Sequence, residues 1–150
     1  MSDPALPVPA SGVYIGAVHH FPIRVYYEDT DLSGIVYHAN YLRFMERARS
    51  DMLRVIDIDQ RGAIESGEGV YAVAEVNIRY LRPARLEDEL LVRSSVTALK
   101  NASCTIHQEI WRGEELLIRA DVTAAFITLD GRPKRQPAAW MDAFRRILAG

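Results

Sequence analysis

Between Val70 and Leu81 the even positions are all apolar, Val70, Ala72, Ala74, Val76, Ile78 and Tyr80, while the odd positions include Glu75, Asn77 and Arg79. Successive side chains of a strand point to opposite faces, so this alternation predicts a strand with one wet face. Pro83 ends it. Strands of the same kind are predicted at about 89–99, 103–111 and 115–129. Lys100-Asn101-Ala102 and Arg112-Gly113-Glu114 are short enough to be hairpin turns. Consecutive hairpins imply an antiparallel meander. An earlier strand is predicted from about Ala17 to Tyr27, with Val18, Ile23, Val25 and Tyr27 buried. Pro22 marks an edge or a bulge in it.

The period changes after residue 40. Tyr41, Phe44, Met45, Ala48, Met52, Val55 and Ile56 recur at steps of three and four, and Leu42 and Leu53 widen the stripe. This predicts one long helix with Asn40 as its N-cap, spent by Asp57 to Gly62. Arg47 and Asp51 are spaced for an i,i+4 pair on its polar side. Asp130-Gly131-Arg132-Pro133 predicts a turn. Pro137 opens a short helix carrying Trp140, Met141, Phe144, Ile147 and Leu148. One long helix among strands needs a sheet curled about it, which is an α+β arrangement.

A length of 150 residues suits one domain with its own core. The net charge of -2 gives no general drive toward nucleic acid or anionic membrane, so an anionic ligand needs a local basic patch. A single cysteine, Cys104, excludes an internal disulfide framework and a cysteine-based zinc site. Its mid-strand place beside Ile106 predicts a buried small hydrophobe rather than a nucleophile. The Pro- and Ala-rich start does not read as a signal peptide, and no stretch has the length of a transmembrane helix. A cytoplasmic protein is expected.

Polar chemistry concentrates in Tyr26-Tyr-Glu-Asp-Thr-Asp-Leu-Ser-Gly-Ile-Val-Tyr-His-Ala-Asn-Tyr41. Asp31, past a strand end and ahead of the helix, could serve as a general base or nucleophile, or be a turn aspartate bonded to its own backbone. His38, just before the helix, could donate to a carbonyl oxygen or simply pack. The first N–H groups of the helix form a ready site for developing negative charge. Gly34 allows close backbone approach to a ligand or supplies a positive φ. Tyr27 could reach the same site from a strand end. Glu28 and Asp29 could raise a neighbouring carboxyl's pKa or lie solvated. No second histidine follows at ligand spacing, so no metal is expected. His19 and His20 should face opposite ways on a strand.

The run from Tyr26 to Tyr41, followed by Phe44-Met-Glu-Arg-Ala-Arg49, resembles the YbgC-type acyl-CoA thioesterases of the 4-hydroxybenzoyl-CoA thioesterase family, which have the hotdog fold. Arg79-Tyr-Leu-Arg-Pro-Ala-Arg85 matches the same group. The Pro- and Ala-rich composition at the start predicts a flexible tail over 1–16, and the resemblance, which runs from about Val18 to Leu129, implies a single hotdog thioesterase domain over 17–150. It implies hydrolysis of a small acyl-CoA, short aliphatic or aromatic, to free acid and CoA, with no cofactor beyond the CoA of the substrate. It assigns catalysis to Asp31, with Tyr27 and His38 beside it. Backbone N–H groups around His38 and Ala39 would polarise the thioester carbonyl. Gly34, Tyr37, Ala39, Asn40 and Tyr41 would line the substrate site. Arg82, Arg85 and Lys100, or the cluster Arg132, Lys134 and Arg135, could hold the CoA phosphates.

The resemblance further implies edge-to-edge homodimers with active sites at the interface, commonly paired into a homotetramer. It also implies association with an acyl carrier protein or with the tol–pal envelope system. Two other functions fit the same scaffold: an acyl-CoA hydratase or dehydratase, and a non-catalytic acyl-carrier binding partner. Leu32-Ser33 departs from the small pair usual after the aspartate, and Leu32 could reshape the acyl pocket.

Overall fold

The computed structural model describes residues 4–149. Its strands are β1 (Val13–Ile15), β2 (Val18–Arg24), β3 (Val70–Tyr80), β4 (Glu89–Leu99), β5 (Ser103–Arg112) and β6 (Glu115–Ile127). Its helices are α1 (Asn40–Arg54), α2 (Gln60–Ser66) and α3 (Ala138–Ala149). The strands form one antiparallel sheet in the order β1-β2-β4-β5-β6-β3. The long helix α1 lies against the concave face, as its apolar stripe requires. Tyr41, Phe44, Met45, Ala48, Met52 and Leu53 are buried. They meet Phe21, Ile23, Val92, Ile110 and Ile118 in one cluster, and Ile58, Ile106 and Phe144 in a second.

Several expectations shift by physical cause. Leu42 stays exposed, because it lies outside the arc that faces the sheet. The helix stops at Arg54, two residues short of the expected end, and α2 follows where no element was expected. Asp59 caps α2 by accepting from the Gly62 N–H at 3.0 Å. Asp51 is not on the wet face with Arg47. It is buried, accepts from the Gly12 N–H at 2.7 Å and from His19 at 2.8 Å, and bonds Arg54. The segment expected as a tail over 1–16 contains β1, which pairs with β2 from Val13↔His20 to Ile15↔Val18. Residues 1–3 of that tail lie outside the described residues.

In β2 the odd residues His19, Phe21 and Ile23 turn inward, so Val18 lies on the other face, while His19 is fully buried and His20 half-buried. Pro22 lies past the end of the β1 pairing, where that side of β2 is open and a missing N–H costs nothing. In β3 the even-number alternation fails at a bulge between Val73 and Glu75. Before it Tyr71 sits opposite Phe126 on the inner face, and after it Val76 sits opposite Val122, so the inward set changes parity. β3 ends the sheet, and its outer side pairs with nothing among the described residues. Val73, Val76 and Tyr80 are exposed there.

Candidate active site

The chain between β2 and α1 forms a small bridged loop. A 3-10 turn, Tyr27–Asp29, opens it, and Thr30 then bridges Val36 in antiparallel fashion. The Asp31 N–H donates to the Ile35 carbonyl at 2.9 Å, and the Gly34 N–H closes the tip on the Asp31 carbonyl at 3.2 Å. Gly34 has φ +80° with open space around it, so its use is the turn's backbone conformation rather than close packing. The loop is tied to the segment after β3. The Val36 N–H donates to Ala84 at 2.8 Å, and Ile35 bridges Arg85.

Asp29 is the internal anchor. Its carboxylate accepts from the Tyr26 N–H at 2.8 Å. Its carbonyl accepts from the Tyr37 N–H at 3.0 Å and from Asn40 Nδ2 at 2.9 Å. Asn40 is therefore not the expected N-cap acceptor. It is the first helical residue and a donor, and Ala39 occupies the cap without a side-chain bond. Tyr27 is not on a strand end either, because β2 stops at Arg24. It lies in the 3-10 turn, 82% exposed, and its hydroxyl bonds nothing among the described residues.

Asp31 sits at the loop tip, fully in solvent. Its Oδ1 accepts from the Ser33 N–H at 2.8 Å and from the Ser33 hydroxyl at 2.5 Å. These bonds hold its carboxyl below the usual carboxylate value, the hydroxyl contributing most. The group is thus ionised at neutral pH, and the raised value that a carboxylate cluster would give is not what this loop produces. Ile35, which bonds the Asp31 N–H, precedes His38 by three residues, at most roughly 11 Å of chain.

The helix start carries the second feature. The Tyr37 carbonyl accepts from the Asn40 N–H at 2.8 Å. The His38 carbonyl accepts from the Tyr80 hydroxyl at 3.1 Å. In a trans peptide the N–H points opposite to the carbonyl. With both carbonyls engaged, the His38 and Ala39 N–H groups point the other way, and neither has an acceptor among the described residues. They are two adjacent donors at the positive end of α1. The His38 ring is exposed, 4.5 Å from Tyr37 and edge-on to Tyr80 at 6.2 Å between centroids.

Tyr41 does not face this site. It is buried, its hydroxyl accepts from the Ala84 N–H at 2.9 Å, and burial raises its pKa. It fixes the helix to the Ala84 segment, which is a supporting role. Among the expected cations, Arg82 is paired with Glu115 at 2.9 Å. Arg85 is exposed and forms no ion pair among the described residues. Lys100 is at the opposite end of β4 from the Asp31 loop, since Glu89, not Leu99, lies beside Arg24. Within one chain it does not join the site. Cys104 is buried, with its thiol pushed up to about 11 by burial, as a packing residue should be.

Sequence reasoning missed Tyr80 and Ser33. Tyr80 looked like one more inward residue of an alternating strand, and only its place in the Arg79–Arg85 match could have singled it out. Ser33 looked like turn filler, yet an Asp-x-Ser spacing is the signal for a side chain capped by its own loop.

A six-stranded antiparallel sheet curled about one long helix, with a carboxylate loop feeding that helix, defines a hotdog-fold thioesterase scaffold. The family model described as the thioesterase superfamily matches residues 33–119. The acyl-CoA thioesterase YbgC of Haemophilus influenzae is 39% identical over 120 residues, covering 80% of this chain and 86% of that protein. The acyl-CoA thioester hydrolase YbgC of Escherichia coli is 35% identical over 128 residues, covering 84% and 95%. The crystal structure of a probable thioesterase from Bartonella henselae superposes with TM-score 0.76 at 37% identity, covering 81% and 100%. The chain belongs to the thioesterase superfamily and is a homologue of the YbgC acyl-CoA thioesterases.

Proposed function

We propose that the protein hydrolyses the thioester of a small acyl-CoA, with Asp31 as the catalytic carboxylate and the His38 and Ala39 N–H groups as the oxyanion site. The observation that carries this is the pairing of two unengaged backbone donors with one ionised, solvent-facing carboxylate on the same loop. A thioester carbonyl seated on the donors develops negative charge toward them as it becomes tetrahedral. One such donor is typically worth about a hundred- to a thousand-fold in rate. Asp31 either takes a proton from the attacking water or attacks the carbonyl itself and is released by water. Both routes expel CoA as a thiolate that regains a proton, and both yield the free acid. His38 would interact with the substrate through its exposed ring, and Tyr27 would close over the carboxylate. Gly34, Tyr37 and Asn40 shape the loop that lines the site. No metal and no cofactor enters this scheme.

The open β3 edge supports a homodimer. An unpaired strand of 11 residues with exposed Val73, Val76 and Tyr80 is a template for antiparallel addition of its own copy. Val70 lies opposite Ile127 and Ser103 opposite Ala125, so Val70 and the Lys100 turn share one end of the sheet. Antiparallel pairing of two β3 edges would carry the Lys100 turn of a second copy to the Tyr80 end of this one. Lys100, and Lys134 and Arg135 beside it, would then join Arg85 around the CoA phosphates. Dimers pairing into a tetramer, residence in the cytoplasm, and contact with an acyl carrier protein or the envelope machinery extend the same reading. No helix is long and apolar enough to cross a membrane among the described residues.

Thiol release measured across acetyl-, isobutyryl-, octanoyl- and benzoyl-CoA tests the activity. Saturable release with at least one is expected, and none with any of them refutes it. Sedimentation of the protein with Val76→Lys tests the edge, where loss of the dimer is expected and an unchanged dimer refutes it.

A further inference from the structure

Ser33 places two donors on a single oxygen of Asp31. The N–H donates to Oδ1 at 2.8 Å and the hydroxyl to the same Oδ1 at 2.5 Å. The first bond is available to any non-proline residue at that turn position, but the second requires the serine hydroxyl. Asp31 Oδ2 accepts nothing among the described residues. The carboxylate of an aspartate turns readily about its last torsion, whose energy wells are broad. Alone, either oxygen could face outward.

Building on Asp31 as the catalytic carboxylate, we propose that Ser33 is a positioning residue whose hydroxyl fixes Oδ1 in the loop and leaves Oδ2 as the reacting oxygen. Pre-organisation of this kind matters because a reacting group must be held near its attack geometry. The same bonds favour the ionised carboxyl. Asp31 is lowered by the Ser33 hydroxyl first and then by the Ser33 N–H; desolvation opposes them, and the Ile35 and Asp31 backbone add lesser lowering. The titratable side chains around the loop are Glu28 and Asp29 on its near side and His38 beyond it. Arg85 and Glu87 lie on the segment bridged to Ile35. The lowering comes from hydrogen bonds rather than from these charges.

The test compares Ser33→Ala, Ser33→Thr and Asp31→Asn in the full chain, with isobutyryl- and benzoyl-CoA. For Ser33→Ala, kcat/KM at neutral pH should fall about two- to tenfold, the size of one modest hydrogen bond. The acid limb of its pH profile should move to higher pH. Ser33→Thr, which keeps a hydroxyl, should restore both. A carbon-13 NMR titration of the Asp31 carboxyl should show the same upward move in Ser33→Ala without reference to activity. A wild-type limb and a wild-type titration in Ser33→Ala overturn the proposal. Near-wild-type hydrolysis by Asp31→Asn overturns the catalytic reading instead, and is told apart because it leaves the titration difference intact.

Discussion

Replacing Tyr80 by Phe removes one hydroxyl oxygen that bonds the backbone behind the proposed oxyanion site, and nothing that would touch the substrate. The ring keeps its edge-on contacts to His38 at 6.2 Å and to Tyr41 at 5.8 Å, so packing is retained. What is lost is the bond from the hydroxyl to the His38 carbonyl at 3.1 Å. That carbonyl and the Ala39 N–H belong to one peptide plane, so the bond aims the donor and polarises it. A partly exposed hydrogen bond of this kind is worth about 0.5–1.5 kcal/mol. If all of it is felt in the transition state, kcat falls roughly two- to twelvefold. Complete loss of a donor would cost about a hundredfold or more, which sets an upper bound. The assay is continuous thiol release, with kcat and KM separated and the melting temperature measured alongside. A lower kcat with little change in KM and melting temperature is expected. An unchanged kcat would refute the argument that the hydroxyl aims the donor.

Other outcomes follow from the same geometry. Asp51→Ala removes a buried acceptor of three donors and leaves the buried His19 ring without a partner, and should destabilise by about 3–5 kcal/mol in urea unfolding. Burial lowers the His19 pKa, with the Asp51 bond opposing. Its contribution to stability is therefore present above its unfolded value of about 6.5 and is lost as pH falls. At His107 burial also works downward, but bonds to Asp121 and Glu109 outweigh it and raise the pKa. That contribution is present below about 6.5 and is lost as pH rises through the raised value, so His107→Gln should flatten the decline in melting temperature as pH rises above about 6.5. Gly34→Val forces a β-branched side chain into φ +80° and should cost about 1–2 kcal/mol of stability, read by thermal unfolding.

The strand pattern was readable because one face of most strands is buried and period 2 follows directly. β4, β5 and β6 lie where alternation and short turns put them. β3 shows the limit, since a bulge between Val73 and Glu75 changes parity and leaves no mark in apolar spacing. Asp51 shows another limit. An acid on the polar edge of a helix looks solvated until a strand brings His19 against it. At the site, the loop composition revealed where the polar groups were but not their division of labour. Asp29, Asn40 and Tyr41 prove to hold the loop and the helix start, through bonds that depend on three-dimensional closure. The distant Tyr80 entered the site only by the sheet's path back to α1. Lys100 failed within one chain because strand length separates it from the loop.

The claim that Asp31 performs the chemistry is tested most directly by Asp31→Asn. Asparagine keeps the size of the side chain and an oxygen that can still accept from Ser33, so the fold and substrate binding should persist. Thiol release from the best acyl-CoA substrate should drop by at least about a thousandfold. Release within a factor of about ten of wild type, from a variant of unchanged melting temperature, would contradict it.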